Sequence, residues 1–223
     1  MTKYFLPSCK VSAAYPEPSR RLLDYVQSCT DIAPAGCCRN EGLRLSENDQ
    51  AIVICHTCAN ICEERFFDKS PARVRYIWEI IDEDEEFIYP DYGGERITLQ
   101  DCLFTYERPV VQKAVRSVLN KMNFRIEEAP RPGGEPFRCN LLMQPIGAAN
   151  RCMAPRHYDE RREAGGYKLF TPLPPEEREK RHRLHCALIP TERVVCYCRS
   201  CRESINQGGK AASHLLELLF TPK

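Results

Sequence analysis

A chain of 223 residues with 32 basic and 31 acidic side chains carries a formal charge of +1, so its net charge draws it to no nucleic acid. That length buries a core without covalent staples, yet the chain holds 14 cysteines, a surplus that stability does not require. No run approaches the roughly 20 apolar residues of a membrane span, and residues 1–11 lack the apolar segment and cleavage site of a secretory leader. The expectation is a cytoplasmic chain with reduced thiols, in which so many cysteines serve metal or redox chemistry.

Taken in chain order, residues 2–9 (TKYFLPSC) form a short apolar run ending in Cys9. A helical pattern follows from Glu17 to Gln27, opened by Pro16 and Pro18, with Leu22, Leu23 and Val26 on one face. The vicinal pair Cys37-Cys38 comes next, then the run AIVICHTC, in which Cys55 and Cys58 close a C-x-x-C ahead of a helix starting near Ala59. Trp78, with Val74, Ile77, Ile80 and Ile81, predicts a helix or strand of core residues closing the first half. The acidic run Asp82–Glu86 reads as a solvated loop or helix face. Its alternative is a charged surface that docks the two halves or steers a redox partner, since residues 1–92 are net acidic and residues 93–223 net basic.

Turn residues at Asp91–Gly94 mark a boundary, and the pattern then restarts. RITLQDC ends in Cys102, a helical pattern runs from Pro109 to Met122, and RVVCYCRSC carries Cys198 and Cys201 into a helix near Arg202. Aligned on the C-x-x-C, Cys55 matches Cys198 and Cys58 matches Cys201. The expected fold class is therefore α/β: two tandem, repeat-related small α/β units with short parallel sheets flanked by helices. The units span residues 1–92 and 93–223, and the second carries an insertion at about 141–189. Within it, Pro174 to Leu188 predicts a charged helix, while the earlier part reads as a long loop or lid. Cys9, Cys55, Cys102 and Cys198 fall at strand ends, the side of such sheets that holds ligands.

In the first half Cys9, Cys37, Cys38, Cys55 and Cys58 give five thiols, one more than tetrahedral zinc or a cubane cluster takes. In the second, Cys102, Cys139, Cys198 and Cys201 give four, which suit zinc or a conventional cluster. Cys196, two residues before Cys198, and Cys152, in the insertion, are further ligand candidates. His182, His185 and Cys186 read as part of a solvated basic helix face, Cys29 and Cys62 as core, and His56 as a residue tuning the first centre by a hydrogen bond. No glycine-rich phosphate loop, Ser-His-Asp arrangement or basic-aromatic stripe is present in the sequence. Bound nucleotide, flavin and nucleic acid are thus not expected.

The order C…CC…C-x-x-C, carried by "YFLPSC", "GCCRN" and "IVICHTCANICEE" and repeated along the chain, resembles the cysteine-rich (CCG) domain of the heterodisulfide reductase B subunit. That family includes the related lactate-utilisation and glycolate-oxidase iron–sulfur subunits. The resemblance implies tandem α/β domains around metal centres, with a [4Fe–4S] cluster, noncubane in some members, on the first motif. It implies a second [4Fe–4S] cluster or a zinc ion on the second. Arg39 replaces the glycine that follows the vicinal pair, and Asn140 stands where its second cysteine belongs in the second repeat. The expected activity is electron transfer or disulfide and thiol reduction, with a flavin or ferredoxin-like subunit as redox partner. The alternatives are a zinc-thiolate structural or regulatory module and a metal-free dithiol oxidoreductase using Cys198 and Cys201.

Overall fold

The computed structural model describes residues 1–28, 31–67 and 73–220; Cys29, read above as core, lies outside them. The first unit runs β1 (Lys3–Leu6), α1 (Cys9–Ala14), α2 (Pro16–Ser28), β2 (Ile32–Pro34), β3 (Gln50–Val53), α3 (His56–Arg65), β4 (Val74–Tyr76) and α4 (Ile77–Glu83). The second runs β5 (Arg96–Gln100), a 3-10 turn at Leu103–Thr105, α5 (Pro109–Lys121), β6 (Arg125–Glu128) and a 3-10 turn at Asn140–Met143. There follow α6 (Ala148–Met153), the hairpin β7 (Glu163–Ala164) and β8 (Tyr167–Lys168), α7 (Pro175–Ala187), β9 (Arg193–Cys196), α8 (Arg199–Gln207), β10 (Ala211–His214) and α9 (Leu215–Phe220).

Each unit builds a four-stranded parallel sheet, ordered β2-β1-β3-β4 in the first and β6-β5-β9-β10 in the second. The fold is α/β with short parallel sheets flanked by helices, and the strand order is the same in both units. Buried on both faces, β3 reads as an unbroken apolar run after Gln50, as a strand between helix layers must. Prolines at the first turn start α2 and α5, where a missing N–H costs nothing. Glu79 and Glu217 then do the same work in the two units: each carboxylate accepts the N–H of the residue preceding its helix, from Tyr76 at 2.7 Å and from His214 at 2.9 Å. Tyr76 and His214 are therefore equivalent positions.

The helices that dock the units exchange under the same equivalence: α2 packs on α9, and α4 on α5. Buried side chains from both units, among them Phe5, Ile52, Trp78, Leu99, Val195 and Leu215, join one continuous core, each contributing roughly 1.5–3 kcal/mol by leaving water. Charges cross the boundary as well. Lys121 pairs with Asp82 at 2.9 Å, which brings part of the acidic run into the docking face, while Glu85 and Glu86 stay exposed. Glu63 on α3 is held by Arg108 at 2.5 Å and by His157 at 2.8 Å. Burial alone would raise the Glu63 carboxyl, but these two partners outweigh it and keep it below its ordinary range.

The earlier part of the insertion differs from the expected loop or lid, since it forms α6 and the β7–β8 hairpin. The charged helix runs as expected, but its solvated basic face is corrected. His182 is 1% exposed, Cys186 2% and His185 9%, and α7 packs this edge on α8. The three sit at i, i+3 and i+4, one helix face, with Arg178 one turn before them, while Lys180, Arg181 and Arg183 lie exposed on the other. No described helix is long and apolar enough to cross a membrane.

Candidate metal centres

The first thiol group is assembled at the carboxyl ends of β1, β2 and β3. Cys9 begins α1 behind Ser8, a non-glycine residue held at φ 63°, a conformation costing of order 1–3 kcal/mol that tends to persist at functional sites. Gly36, at φ 80°, turns the chain after β2 into Cys37 and Cys38. Arg65, at the end of α3, clamps this loop by donating to the carbonyls of Cys38 and Asn40, both at 3.0 Å. Arg39 needs no left-handed backbone here. Its N–H donates to Cys37 Sγ at 3.4 Å, and its guanidinium donates to Asn150 of the second unit. Cys55 is the N-cap of α3 and Cys58 lies in its first turn.

All five expected thiols converge: Cys9 interacts with Cys37, Cys37 with Cys38, Cys38 with Cys58, and Cys58 with Cys55. The Cys58 thiol and backbone N–H both favour the Cys55 thiolate, as does the Ser8 hydroxyl, and together they hold Cys55 down at about 5 despite burial. Cys58, hydrogen-bonded to the Cys38 and Cys55 thiols, is pushed up instead. Cys38 and Cys58 are buried, Cys37 and Cys55 half-buried, and Cys9 exposed, so the group opens to solvent on the Cys9 side.

The second group repeats the plan with deeper burial. Cys102 follows β5, Cys139 precedes a 3-10 turn, Cys198 is the N-cap of α8 and Cys201 sits in its first turn. Cys201 interacts with the thiols of Cys102, Cys139 and Cys198. The Cys102 and Cys201 thiols, with the His56 imidazole beside them, hold Cys198 well below the ordinary thiol range. Asn140 turns away, its amide donating to Gln207 at the surface. Of the further candidates, Cys196 is fully buried in β9, and Cys152 is exposed on α6, which packs against α3. Cys62 is core, as expected.

His56 belongs by sequence to the first C-x-x-C, yet its ring reaches the second group. Nδ1 lies 2.8 Å from the Tyr76 hydroxyl. A ring nitrogen of His56 and the thiols of Cys102 and Cys198 all lie within 4.8 Å of one another, and the buried Nε2 has no nitrogen or oxygen partner among the described residues. The two C-x-x-C turns face each other across a cavity of roughly 60 Å³ lined by Cys55, His56, Tyr197, Cys198, Arg199 and His214. His214 and Tyr197 were not singled out by sequence reasoning. His214, buried and stacked on Tyr15 at 4.9 Å, is pushed down to about 3 by burial, so it stays neutral. The only signal for it is its place at the end of the last strand, the counterpart of Tyr76.

The donor chemistry fits soft metals: nine thiols in two groups, each with a thiolate favoured at a helix N-terminus. No family model, curated protein or solved structure matches the chain.

Proposed function

We propose that the chain is an iron–sulfur redox protein, similar to the heterodisulfide reductase B subunit, that passes electrons or reduces a disulfide. The observation that carries this reading is the convergence of Cys9, Cys37, Cys38, Cys55 and Cys58 into one five-thiol group. Five thiols are too many for tetrahedral zinc and suit a [4Fe–4S] cluster of unusual ligation. Cys102, Cys139, Cys198 and Cys201 would hold a second cluster or a zinc ion. When bound, such a cluster supplies one-electron chemistry and an iron open to sulfur.

The chain's own residues prepare for that chemistry. Cys55 is kept as thiolate by Cys58 and Ser8, so the ligand is charged before metal arrives. The cavity between the two turns, roughly 60 Å³, admits a few water-sized groups and hence the sulfur end of a small disulfide, but not a flavin. A flavin or ferredoxin-like partner protein would deliver the electrons, and Cys9 is the exposed thiol of the first group. Absorption spectra of anaerobically prepared protein, before and after dithionite, test the reading. A broad charge-transfer band near 400 nm that bleaches on reduction supports it. A colourless zinc protein, or a metal-free dithiol, overturns it.

A further inference from the structure

The two centres are unequal in thiols, because Asn140 occupies the place of a fifth cysteine and points to the surface. The second group is approached from the other unit by His56. Resting on the reading of both thiol groups as iron–sulfur sites, we propose that His56 Nε2 is the fifth donor of the second centre, completing the set Cys102, Cys139, Cys198 and Cys201 across the unit boundary.

Three independent features point there. The ring nitrogen is grouped with Cys102 and Cys198, all within 4.8 Å, close enough for the three donors to share one bound metal centre. Nε2 is buried and, among the described residues, has no nitrogen or oxygen hydrogen-bond partner; it faces the Cys198 thiol instead. Nδ1 is engaged 2.8 Å from the Tyr76 hydroxyl; with Nδ1–H donating there, the Nε2 lone pair faces the thiols. Metal-binding histidines are habitually oriented by such an outer partner on the opposite ring nitrogen. Flanking rings fix the imidazole further: Phe104 stacks at 6.2 Å and Tyr197 meets it edge-on at 6.0 Å.

Neither spare cysteine is better placed. Cys152 is exposed on a helix that packs on the first unit, and Cys196 is enclosed in the β9 core. Supplying the fifth donor from the first C-x-x-C ties the two centres together: Cys55 and Cys58 would serve one, and His56, between them in sequence, the other. The second centre could then form only after the units dock.

The test uses full-length protein, isolated anaerobically with 15N-histidine, in native form and as His56→Ala, His56→Gln, Tyr76→Phe and Cys196→Ala. Pulsed electron paramagnetic resonance should find one strongly coupled histidine nitrogen in the native protein and in Cys196→Ala. It should be altered in Tyr76→Phe and absent from both His56 variants. In those two, a chelator should strip iron from the second centre roughly tenfold or more faster, while iron at the first centre persists. Zinc in an all-sulfur shell at the second centre, or iron there without a coupled nitrogen, would overturn this inference alone. Absence of iron from both centres would overturn the iron–sulfur reading together with it.

Discussion

Arg108 and Tyr15 occupy the same place in the two units, each directly before a helix that starts with proline, and each lies against the residue that closes the other unit's sheet. Tyr15 stacks on His214 at 4.9 Å, and the Arg108 guanidinium lies 5.8 Å from the centre of the Tyr76 ring. Two residues of different chemistry thus perform one geometric task, and the docking it secures brings the two C-x-x-C turns face to face.

The two centres should respond differently to loss of a thiol. Cys198 touches Cys102 and Cys201 in a group with four thiols, so Cys198→Ser should empty the second centre and loosen α8. Cys37→Ser or Cys38→Ser should instead alter the first centre's spectrum while some iron stays bound. Metal content with electron paramagnetic resonance on each variant decides. Full metal in Cys198→Ser, with an unchanged first-centre signal in Cys37→Ser, would mean the ligands are wrongly divided.

The boundary between units rests partly on Glu63. Glu63→Ala leaves Arg108 and His157 facing an empty, buried position, and removing one member of such a network costs about 3–5 kcal/mol. The denaturant midpoint should fall accordingly, and a change below about 1 kcal/mol would show that solvent replaces the carboxylate there. Charge reversal at exposed Glu85 should leave the midpoint unmoved.

Gly208 marks the contact between α7 and α8. A methyl group added there would lie 2.4 Å from Cys186 Sγ and 2.6 Å from the His182 carbonyl oxygen. The carbonyl is helix backbone and cannot yield cheaply, so Gly208→Ala should destabilise by about 1–3 kcal/mol or more. An unchanged thermal midpoint would show that α7 does not press on α8 as described.

Acid should weaken the same region. Burial, with the neighbouring His182, pushes His185 down to about 4, and its Nε2 donates to Gln100 Oε1 at 2.7 Å. The folded state keeps this ring neutral, whereas the unfolded chain binds a proton below about pH 6.5. Its contribution is therefore complete above pH 6.5 and is lost progressively as pH falls to about 4, on the order of 3 kcal/mol in all. Unfolding free energy measured from pH 7.5 to 4 should decline, and less steeply in His185→Gln. Equal slopes would exclude the histidine as the cause.

What was legible in the sequence was local. Cys9, Cys55, Cys102 and Cys198 fell at strand ends because an apolar run followed by a helix start is a short-range signal, and the repeat followed from seeing it twice. His56 was read with its own motif because nothing local reveals that docking turns its ring toward the other one. His182, His185 and Cys186 carried helical spacing, but seven arginines, lysines and glutamates along the same helix hid the buried face. His214 and Tyr197 need the fold itself, since a single histidine or tyrosine at the end of a short strand has no distinguishing pattern. The insertion's short α6 and hairpin are held by long-range contacts, such as the Tyr158 hydroxyl donating to Thr57 at 3.0 Å, which periodicity does not encode.

Whether the five first-unit thiols hold an iron–sulfur cluster is decided by iron, acid-labile sulfide and zinc per chain after strictly anaerobic isolation and cluster reconstitution. The expected result is about four irons and matching sulfide for the first centre, with either four more or one zinc for the second. In Cys55→Ser/Cys58→Ser protein the first-centre complement should be gone. Stoichiometric zinc with no iron or sulfide, or iron unchanged by that double substitution, would contradict it.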